Sequence, residues 1–413
     1  METHDYSDYR NPDNYILVGG TYYKKVCKPT TGGEVIETLI RWDREQINAD
    51  FHNNQDAKRR IERFDGFCVV PEHINYHRRV SDFYNRYEDV NIKPVPGPWP
   101  TVESLLRHIF GEQYEEGLDY IQLLFTRPTQ KLPILLLVSR ERNTGKTTML
   151  NFLKSIFKGN MTFVSNDDLR SRFNSDWAEK LIVAVDETLL DRKEDSEKIK
   201  ALSTARVTKM ESKGRDREEI GINAKIILCS NNVDEPVYMD KEEDRYWVRE
   251  IPHIEAKDPL LLDKLSSEIP AFINHLLNRE LKHGIPRERM WFCMRELETP
   301  ALRHIKQCCG PVGEIDLAET ILEVMDAYML DEICLTKGDI IRQLSANGVK
   351  VASLHALLSR RWASAIDHAT DNLSYTLYQI VNGSPANKTG ICTKGRYYKF
   401  TRAFLSSVLG EKE

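Results

Sequence analysis

Residues 132–157 read LPILLLVSRERNTGKTTMLNFLKSIF and contain three successive patterns. The apolar run at 132–138 is short and uncharged, which predicts a buried strand. A polar loop follows it, and from Lys146 onward the apolar residues recur at helical spacing. The stretch therefore predicts a strand, a loop and a helix in immediate succession.

The same alternation continues on the carboxyl side. Short apolar runs lie at 161–164 (MTFV), 180–187 (KLIVAVDE) and 224–232 (AKIILCSNN), and residues near 167–173 read as a helix. Apolar runs of this length, each followed by a polar loop, are typical of parallel strands that helices cover on both faces. Core helix segments are the alternative, but the short, β-branched runs favour strands. The predicted fold class is α/β with a central parallel sheet.

The loop between the first strand and helix reads NTGKTT. A phosphate-binding loop requires this context, because backbone N–H groups at the helix N-terminus face the phosphates. A lysine there neutralises the β and γ phosphate groups, and the hydroxyl after it ligates Mg²⁺. The sequence thus predicts that ATP is held by Asn143, Thr144, Gly145, Lys146, Thr147 and Thr148, with Thr147 also a Mg²⁺ ligand.

This loop departs from the usual pattern at one position. The first glycine of G-x-x-x-x-G-K-T would fall at 140, where the chain has Arg140. An arginine is costly if the loop needs a positive φ at that position. We therefore expect either a different entry to the loop or a reduced nucleotide affinity.

Polar residues follow two later strands and complete a candidate Mg-ATP site. Asp186 ends the 180–187 run and would hold the metal through water, while Glu187 would orient or deprotonate the attacking water. Taken alone, this acidic pair equally suits a helix N-cap. Asn231 ends the 224–232 run, where its amide would contact the γ-phosphate or the attacking water, and a simple turn is the alternative.

Arg245 is the second residue of the segment DRYWVREI and precedes a strand-like stretch. Its planar guanidinium suits phosphate oxygens, so we predict an arginine finger that stabilises charge on the transferred phosphoryl group. A surface salt bridge is the other interpretation.

Residues 204–225 read as two strand-like ends around a charged turn, which predicts a hairpin. In a ring of subunits this hairpin would project Lys209, Lys213 and Arg215 into a channel and contact single-stranded DNA. As an isolated feature the charged turn is better explained as a solvated hairpin tip.

The termini differ from the central region. NYILVGGTYYKKVC at 14–27 predicts an N-terminal hairpin, and the proline-rich segment 93–100 predicts a linker.

After residue 311, helical patterns at 315–330, 337–346 and 352–363 precede strand-like pieces at 375–381 and 396–400. This order suggests a winged-helix-like domain or a protein-binding module. The predicted divisions are 1–98 (α+β region), 99–130 (helical collar), 131–255 (P-loop NTPase core), 256–310 (helical linker) and 311–413 (winged-helix-like domain).

The amino-acid composition limits which binding partners the protein can have. The 413-residue chain has 58 Lys and Arg against 63 Asp and Glu, a formal charge of -5, so any nucleic-acid contact must be local. Its N-terminus has no signal-like pattern, and no apolar run is long enough to span a bilayer. Eight cysteines without zinc-like spacing read as reduced thiols. We expect a cytoplasmic protein without a membrane partner.

The ordered set NTGKTT, LIVAVDE, TKMESKGRD, IILCSNN and DRYWVREI resembles the superfamily 3 helicases, particularly the helicase part of phage and mobile-element primase-helicase proteins. The resemblance covers roughly residues 70–252. It implies an AAA+-like core, homo-hexamers with ATP sites at subunit interfaces, and translocation along single-stranded DNA during replication in a bacterial host. It also implies that Arg245 acts on a neighbouring subunit.

The segment before Pro71 is too short for a complete primase domain, so priming would belong to a separate protein. A P-loop ATPase that switches or loads another replication protein without unwinding DNA is the alternative function.

Overall fold

The computed structural model describes residues 11–29, 35–52, 54–188, 190, 193–211, 217–234, 236–240, 242–254, 258–282, 290–308, 314–346, 354, 357–358, 362–381, 384–386 and 389–409. The chain forms two compact units, Met1–Ile305 and Lys306–Glu413. Among the described residues, no helix has both the length and the apolar character that crossing a membrane requires.

The N-terminal part of the first unit contains two small sheets. Their strands are β1 (Tyr15–Val18), β2 (Thr21–Pro29), β3 (Val35–Trp42), β4 (Glu62–Phe64), β5 (Gly66–Cys68), β6 (Arg79–Val80) and β7 (Phe83–Asn85). The sheet orders are β3-β2-β1-β4 and β5-β7-β6. Gly19 and Gly20 both have positive φ, +54° and +83°, which lets β1 turn directly into antiparallel β2. The predicted N-terminal hairpin is confirmed.

A five-stranded parallel sheet forms the centre of the first unit. Its strands are β8 (Ile134–Val138), β9 (Met161–Phe163), β10 (Ile182–Val185), β13 (Lys225–Ser230) and β14 (Tyr246–Glu250), in the order β14-β8-β13-β10-β9. All four pairings are parallel. The predicted parallel α/β architecture is confirmed. Between β10 and β13, strands β11 (Val207–Met210) and β12 (Glu218–Gly221) pair antiparallel, which confirms the predicted hairpin.

Helices surround these sheets. They are α1 (Arg44–Asp50), α2 (Gln55–Arg59), α3 (Pro100–Phe110), α4 (Tyr114–Thr126), α5 (Lys146–Phe157), α6 (Asn166–Arg170), α7 (Lys193–Thr204), α8 (Leu261–Asn278) and α9 (Pro300–Cys308). Short 3₁₀ turns lie at Pro12–Asn14, Gly111–Gln113 and Lys158–Asn160. The proline-rich residues 93–99 have no regular structure, as their composition requires.

Apolar residues of α3, α4, α5 and α8 form one large core with the central sheet. Trp247 of β14 is fully buried in it and stacks on Phe110, with ring centroids 5.1 Å apart. The indole N–H donates to Gln113 Oε1 at 2.8 Å, so the buried polar atom is satisfied. This packing fixes the helical layer against β14.

A buried ion pair joins the end of α8 to α4. Arg279 donates from Nη1 to Asp119 Oδ1 at 2.6 Å and to Gln122 Oε1 at 2.6 Å. The Asp119 side chain is 0% exposed, and its carboxylate also accepts the backbone N–H of Lys282 at 3.1 Å. A carboxylate in this position is stable only while these donors remain.

The second unit combines helices and small antiparallel sheets. Its helices are α10 (Glu314–Ala327), α11 (Lys337–Ala346) and α12 (Arg402–Leu409). Its strands are β15 (Glu332–Leu335), β16 (Asp367–His368), β17 (Leu373–Leu377), β18 (Ile380–Val381), β19 (Ser384–Pro385), β20 (Ile391–Gly395) and β21 (Tyr398–Thr401).

The structure confirms the first two predicted C-terminal helices as α10 and α11. Most of the third, 352–363, lies outside the described residues. The expected ribbon between 375–381 and 396–400 is wrong in its pairing, because β17 pairs with β20 instead. Strand β21 joins β15 and β16, where Phe400 becomes fully buried opposite Ile333. Burial of Phe400 thus determines the partner of this strand.

We predict that Arg279→Met lowers the free energy of unfolding by about 3–5 kcal/mol, because it leaves the Asp119 carboxylate buried and unpaired. Chemical denaturation of the full chain measures this change. Arg59→Met is the control, since the Arg59–Asp56 pair is solvent-exposed and should contribute little. Equal effects of the two substitutions would contradict the account of the buried pair.

Candidate functional site

The carboxyl ends of β8, β10 and β13 meet at one edge of the central sheet. The loop after β8 leads into α5, the acidic pair follows β10, and Asn231 follows β13. The backbone N–H of Ser139, just after β8, donates to the carbonyl of Ser230 at the end of β13 at 3.1 Å. Parallel pairing thus brings residues from distant parts of the chain to one place.

Lys146 is the centre of this edge. Its ammonium donates to Asn231 Oδ1 at 2.9 Å, to Thr144 Oγ1 at 3.2 Å and to the Ser139 hydroxyl. The Thr144 hydroxyl in turn donates to Ser139 Oγ at 3.3 Å. Lys146 is 7% exposed, Thr144 2% and Ser139 1%, so their mutual contacts are shielded from solvent, whereas Asn231 is exposed. We call Ser139, Thr144, Lys146 and Asn231 the lysine cradle.

The electrostatics of the lysine cradle favour an anion. The ammonium's hydrogen-bond acceptors in the cradle are neutral oxygen atoms, so no carboxylate in it neutralises the charge. Burial lowers the pKa of Lys146, which is partly offset by the more distant Asp186 carboxylate. An anionic ligand beside the ammonium would favour its charged form.

The backbone around Lys146 is shaped for close approach. Gly145 has φ +87°, and a Cβ atom there would lie 3.0 Å from Ile254 Cδ1, so any larger residue would be strained and crowded. Helix α5 begins at Lys146, which directs its first N–H groups towards this loop. Asn143, which is exposed, also adopts a left-handed conformation with φ +60°.

Arg140 does not produce the strain that its position in the sequence suggested. It is absent from the positive-φ residues of the described chain, which in this loop are Asn143 and Gly145. Its side chain is 66% exposed and lies 3.8 Å from the Glu250 carboxylate. The backbone at the start of this loop therefore differs from that of a phosphate-binding loop whose first glycine has a positive φ.

Thr147 and Asp186, the two predicted Mg²⁺ ligands, contact each other. The Thr147 hydroxyl donates to Asp186 Oδ2 at 2.9 Å, so two oxygen atoms that suit Mg²⁺ are adjacent. No group of three or more His, Cys, Asp or Glu side chains in the described chain is arranged to hold a metal. A Mg²⁺ site with one or two protein ligands, completed by phosphate oxygens and water, agrees with this arrangement.

Glu187 lies beside Asp186 with its side chain exposed. Its φ is +62°, an unusual value for a glutamate, and its carbonyl accepts a hydrogen bond from Asn166 Nδ2 at 3.2 Å. Thr148, the last residue of the predicted loop, is half-buried in the first turn of α5.

Arg245 lies at the opposite edge of the sheet. It precedes β14, whose first residue, Tyr246, pairs with Ile134 at the amino end of β8. Four residue steps separate this end from Glu250, which corresponds to roughly 13 Å at about 3.3 Å per residue. Arg245 is therefore not brought to the lysine cradle of its own chain.

The hairpin is anchored to the segment after α6. Asn174, 8% exposed, donates from Nδ2 to the Lys209 carbonyl at 3.0 Å and accepts the Glu211 N–H at 2.8 Å. The Lys209 side chain is exposed. Lys213 and Arg215, the other predicted DNA-binding residues, lie outside the described residues.

Sequence reasoning missed two residues of this site. Ser139 contacts Lys146 directly, and its position as the first polar residue after β8 was an available signal. His108 of α3 lies with Nε2 3.0 Å from the Thr144 carbonyl. No sequence signal identified His108, because α3 precedes the loop by more than 30 residues.

Comparisons with known proteins support the fold. No curated protein matches the chain. Residues 137–246, from the end of β8 to the start of β14, match DUF5906, a family of unknown function.

Solved structures of the C-terminal region of NrS-1 are similar over most of the chain. One apo structure (residues 305–718) shares 14% identity, covers 91% of this chain and 94% of its own, and has a TM-score of 0.56. An A-form structure of the region shares 13% identity over 94% and 97%, with a TM-score of 0.56. This chain therefore shares its fold with the NrS-1 C-terminal region.

Proposed function

We propose that this chain is an ATPase that translocates on single-stranded DNA, an ATP-dependent DNA helicase of phage or mobile-element replication. The observation that carries the proposal is the lysine cradle, with a buried ammonium among neutral oxygen atoms at the N-terminus of α5. The adjacent Thr147–Asp186 contact adds oxygen ligands suited to Mg²⁺. The motif order described above supports the choice of helicase.

Each residue has a role in this proposal. The N–H groups at the start of α5 and the Lys146 ammonium bind the phosphates. Thr147 and Asp186 hold Mg²⁺, which when bound neutralises phosphate charge. Glu187 orients or deprotonates the attacking water, and Asn231 contacts the terminal phosphate.

Arg245 would complete the site of a second copy. Its position at the amino edge of the sheet separates it from the lysine cradle of its own chain. A finger from this edge therefore requires an assembly in which subunits share sites, and we propose a homo-hexamer. The protein would act in the host cytoplasm together with other replication proteins.

The hairpin would contact DNA through Lys209, Lys213 and Arg215, and a winged-helix-like second unit would hold DNA or a partner. One observation favours the alternative, an ATPase switch or loader without unwinding activity. Strand β12 of the hairpin begins with two exposed carboxylates, Glu218 and Glu219, which repel a phosphate backbone.

We predict Mg²⁺-dependent ATP hydrolysis that Lys146→Ala reduces by at least about a hundredfold, since removing a preorganised charged donor costs that much in comparable sites. Steady-state phosphate release measures this. Lys93→Ala, which removes an exposed lysine outside the lysine cradle, is the matched control and should retain the wild-type rate of hydrolysis. Hydrolysis that persists in Lys146→Ala would exclude the lysine cradle as the ATP site.

We also predict that single-stranded DNA stimulates hydrolysis, and that neutralising Lys209, Lys213 and Arg215 together removes the stimulation while the DNA-independent rate remains. The reason is that phosphate contacts supply most non-specific affinity. A triple change at Lys28, Arg59 and Lys93 controls for net charge. Unchanged stimulation in the hairpin variant would favour the switch or loader.

A further inference from the structure

Glu243 and Lys200 form a buried ion pair at the amino edge of the central sheet. Lys200 of α7 donates to Glu243 Oε2 at 2.9 Å, and the two side chains are 3% and 4% exposed. Lys200 also lies 2.6 Å from Glu197 and 3.4 Å from Asp240, whose side chains are half-exposed. Burial alone would lower the pKa of Lys200, but its hydrogen bonds to Glu197 and Glu243 raise the pKa above its ordinary value.

The second oxygen of Glu243 holds the backbone that leads into β14. Glu243 Oε1 accepts the N–H of Asp244 at 3.2 Å and the N–H of Arg245 at 3.0 Å. The Arg245 carbonyl accepts the N–H of Ile134 at 2.8 Å. The backbone of Arg245 is thus fixed from both sides.

The Arg245 guanidinium forms only a long ion pair with this carboxylate. Its Nη1 lies 3.8 Å from Glu243 Oε2, beyond hydrogen-bond distance, and its side chain is 36% exposed. Lys200 is closer to that same oxygen, at 2.9 Å. Without Lys200, a buried, uncompensated carboxylate would attract the guanidinium strongly.

Helix α7 is itself held against this edge. Ser196 donates to the Tyr238 carbonyl at 2.6 Å and lies 3.3 Å from the hydroxyl of Tyr246, the first residue of β14. Asp195, one residue earlier, pairs with Arg170 of α6 at 2.8 Å. Lys200 is therefore presented to Glu243 by a helix with fixed contacts on both sides.

We propose that Lys200 and Glu243 are positioning residues for Arg245. Glu243 fixes the Arg245 backbone, and Lys200 occupies the Glu243 carboxylate. The guanidinium therefore keeps only a long ion pair with Glu243 and can leave it to reach the phosphates bound by a second copy of this chain. This inference rests on the proposed function. A buried ion pair is seldom more stabilising than an apolar pair of the same size, so a role in conformational specificity accounts for its presence.

The test is steady-state ATP hydrolysis by the full chain, with kcat and KM separated. We expect Arg245→Ala and Lys200→Met each to lower kcat by about tenfold or more, with KM nearly unchanged, as loss of a finger does. Lys200→Met combined with Arg245→Ala should be no slower than Arg245→Ala alone, because both changes remove the same interaction. Adding Glu243→Gln to Lys200→Met should restore kcat, since a neutral amide keeps the backbone acceptor but releases the guanidinium.

Wild-type kcat in Arg245→Ala would overturn the finger itself and with it the proposed shared site. Two other outcomes would overturn only the positioning role. One is a lowered kcat in Arg245→Ala with a wild-type kcat in Lys200→Met. The other is a kcat in the Lys200→Met, Arg245→Ala double variant that is lower than in Arg245→Ala alone. Thermal unfolding shows whether Lys200→Met folds. If Lys200→Met does not fold, Glu243→Ala is tested in its place, because Lys200 then still pairs with Glu197 and Asp240. The kcat of Glu243→Ala should fall. Combining Glu243→Ala with Arg245→Ala should lower kcat no further than Arg245→Ala alone.

Discussion

Strand β8 is paired on both sides by parallel strands, and all five of its residues are fully buried. This constraint determines where the functional groups lie. The carboxyl end of β8 delivers Ser139 and the phosphate loop next to Asn231 from β13. Its amino end lies beside Arg245, which precedes β14. The length of this one strand thus separates Lys146 in the lysine cradle from Arg245, the proposed arginine finger.

Two buried lysines in the same unit illustrate how surroundings distinguish function from structure. Lys146 contacts neutral oxygen atoms, and burial lowers its pKa, so an anion there would be stabilised. Lys200 contacts carboxylates that raise its pKa, so its charge is already satisfied. Of these two lysines, Lys146 lacks a contacting carboxylate, whereas Lys200 holds its acidic neighbours.

The sequence was sufficient for the strand, loop and helix around Lys146, because apolar periodicity is local. It also predicted that Asp186 and Asn231 would lie near Lys146, since both follow parallel strands. It could not give the contact of Lys200 with Glu243, which depends on how α7 packs, or the partner of β21, which depends on the burial of Phe400. Such contacts depend on tertiary packing rather than local pattern.

The lysine cradle is the centre of this account, and direct nucleotide binding tests it. Isothermal titration with a non-hydrolysable ATP analogue and Mg²⁺ compares the wild type with Lys146→Met, which keeps the length of the side chain and removes its charge. The account predicts saturable binding by the wild type and an affinity at least about tenfold weaker in the variant, a loss of about 1.4 kcal/mol. Equal affinities, or no binding by the wild type, would contradict it.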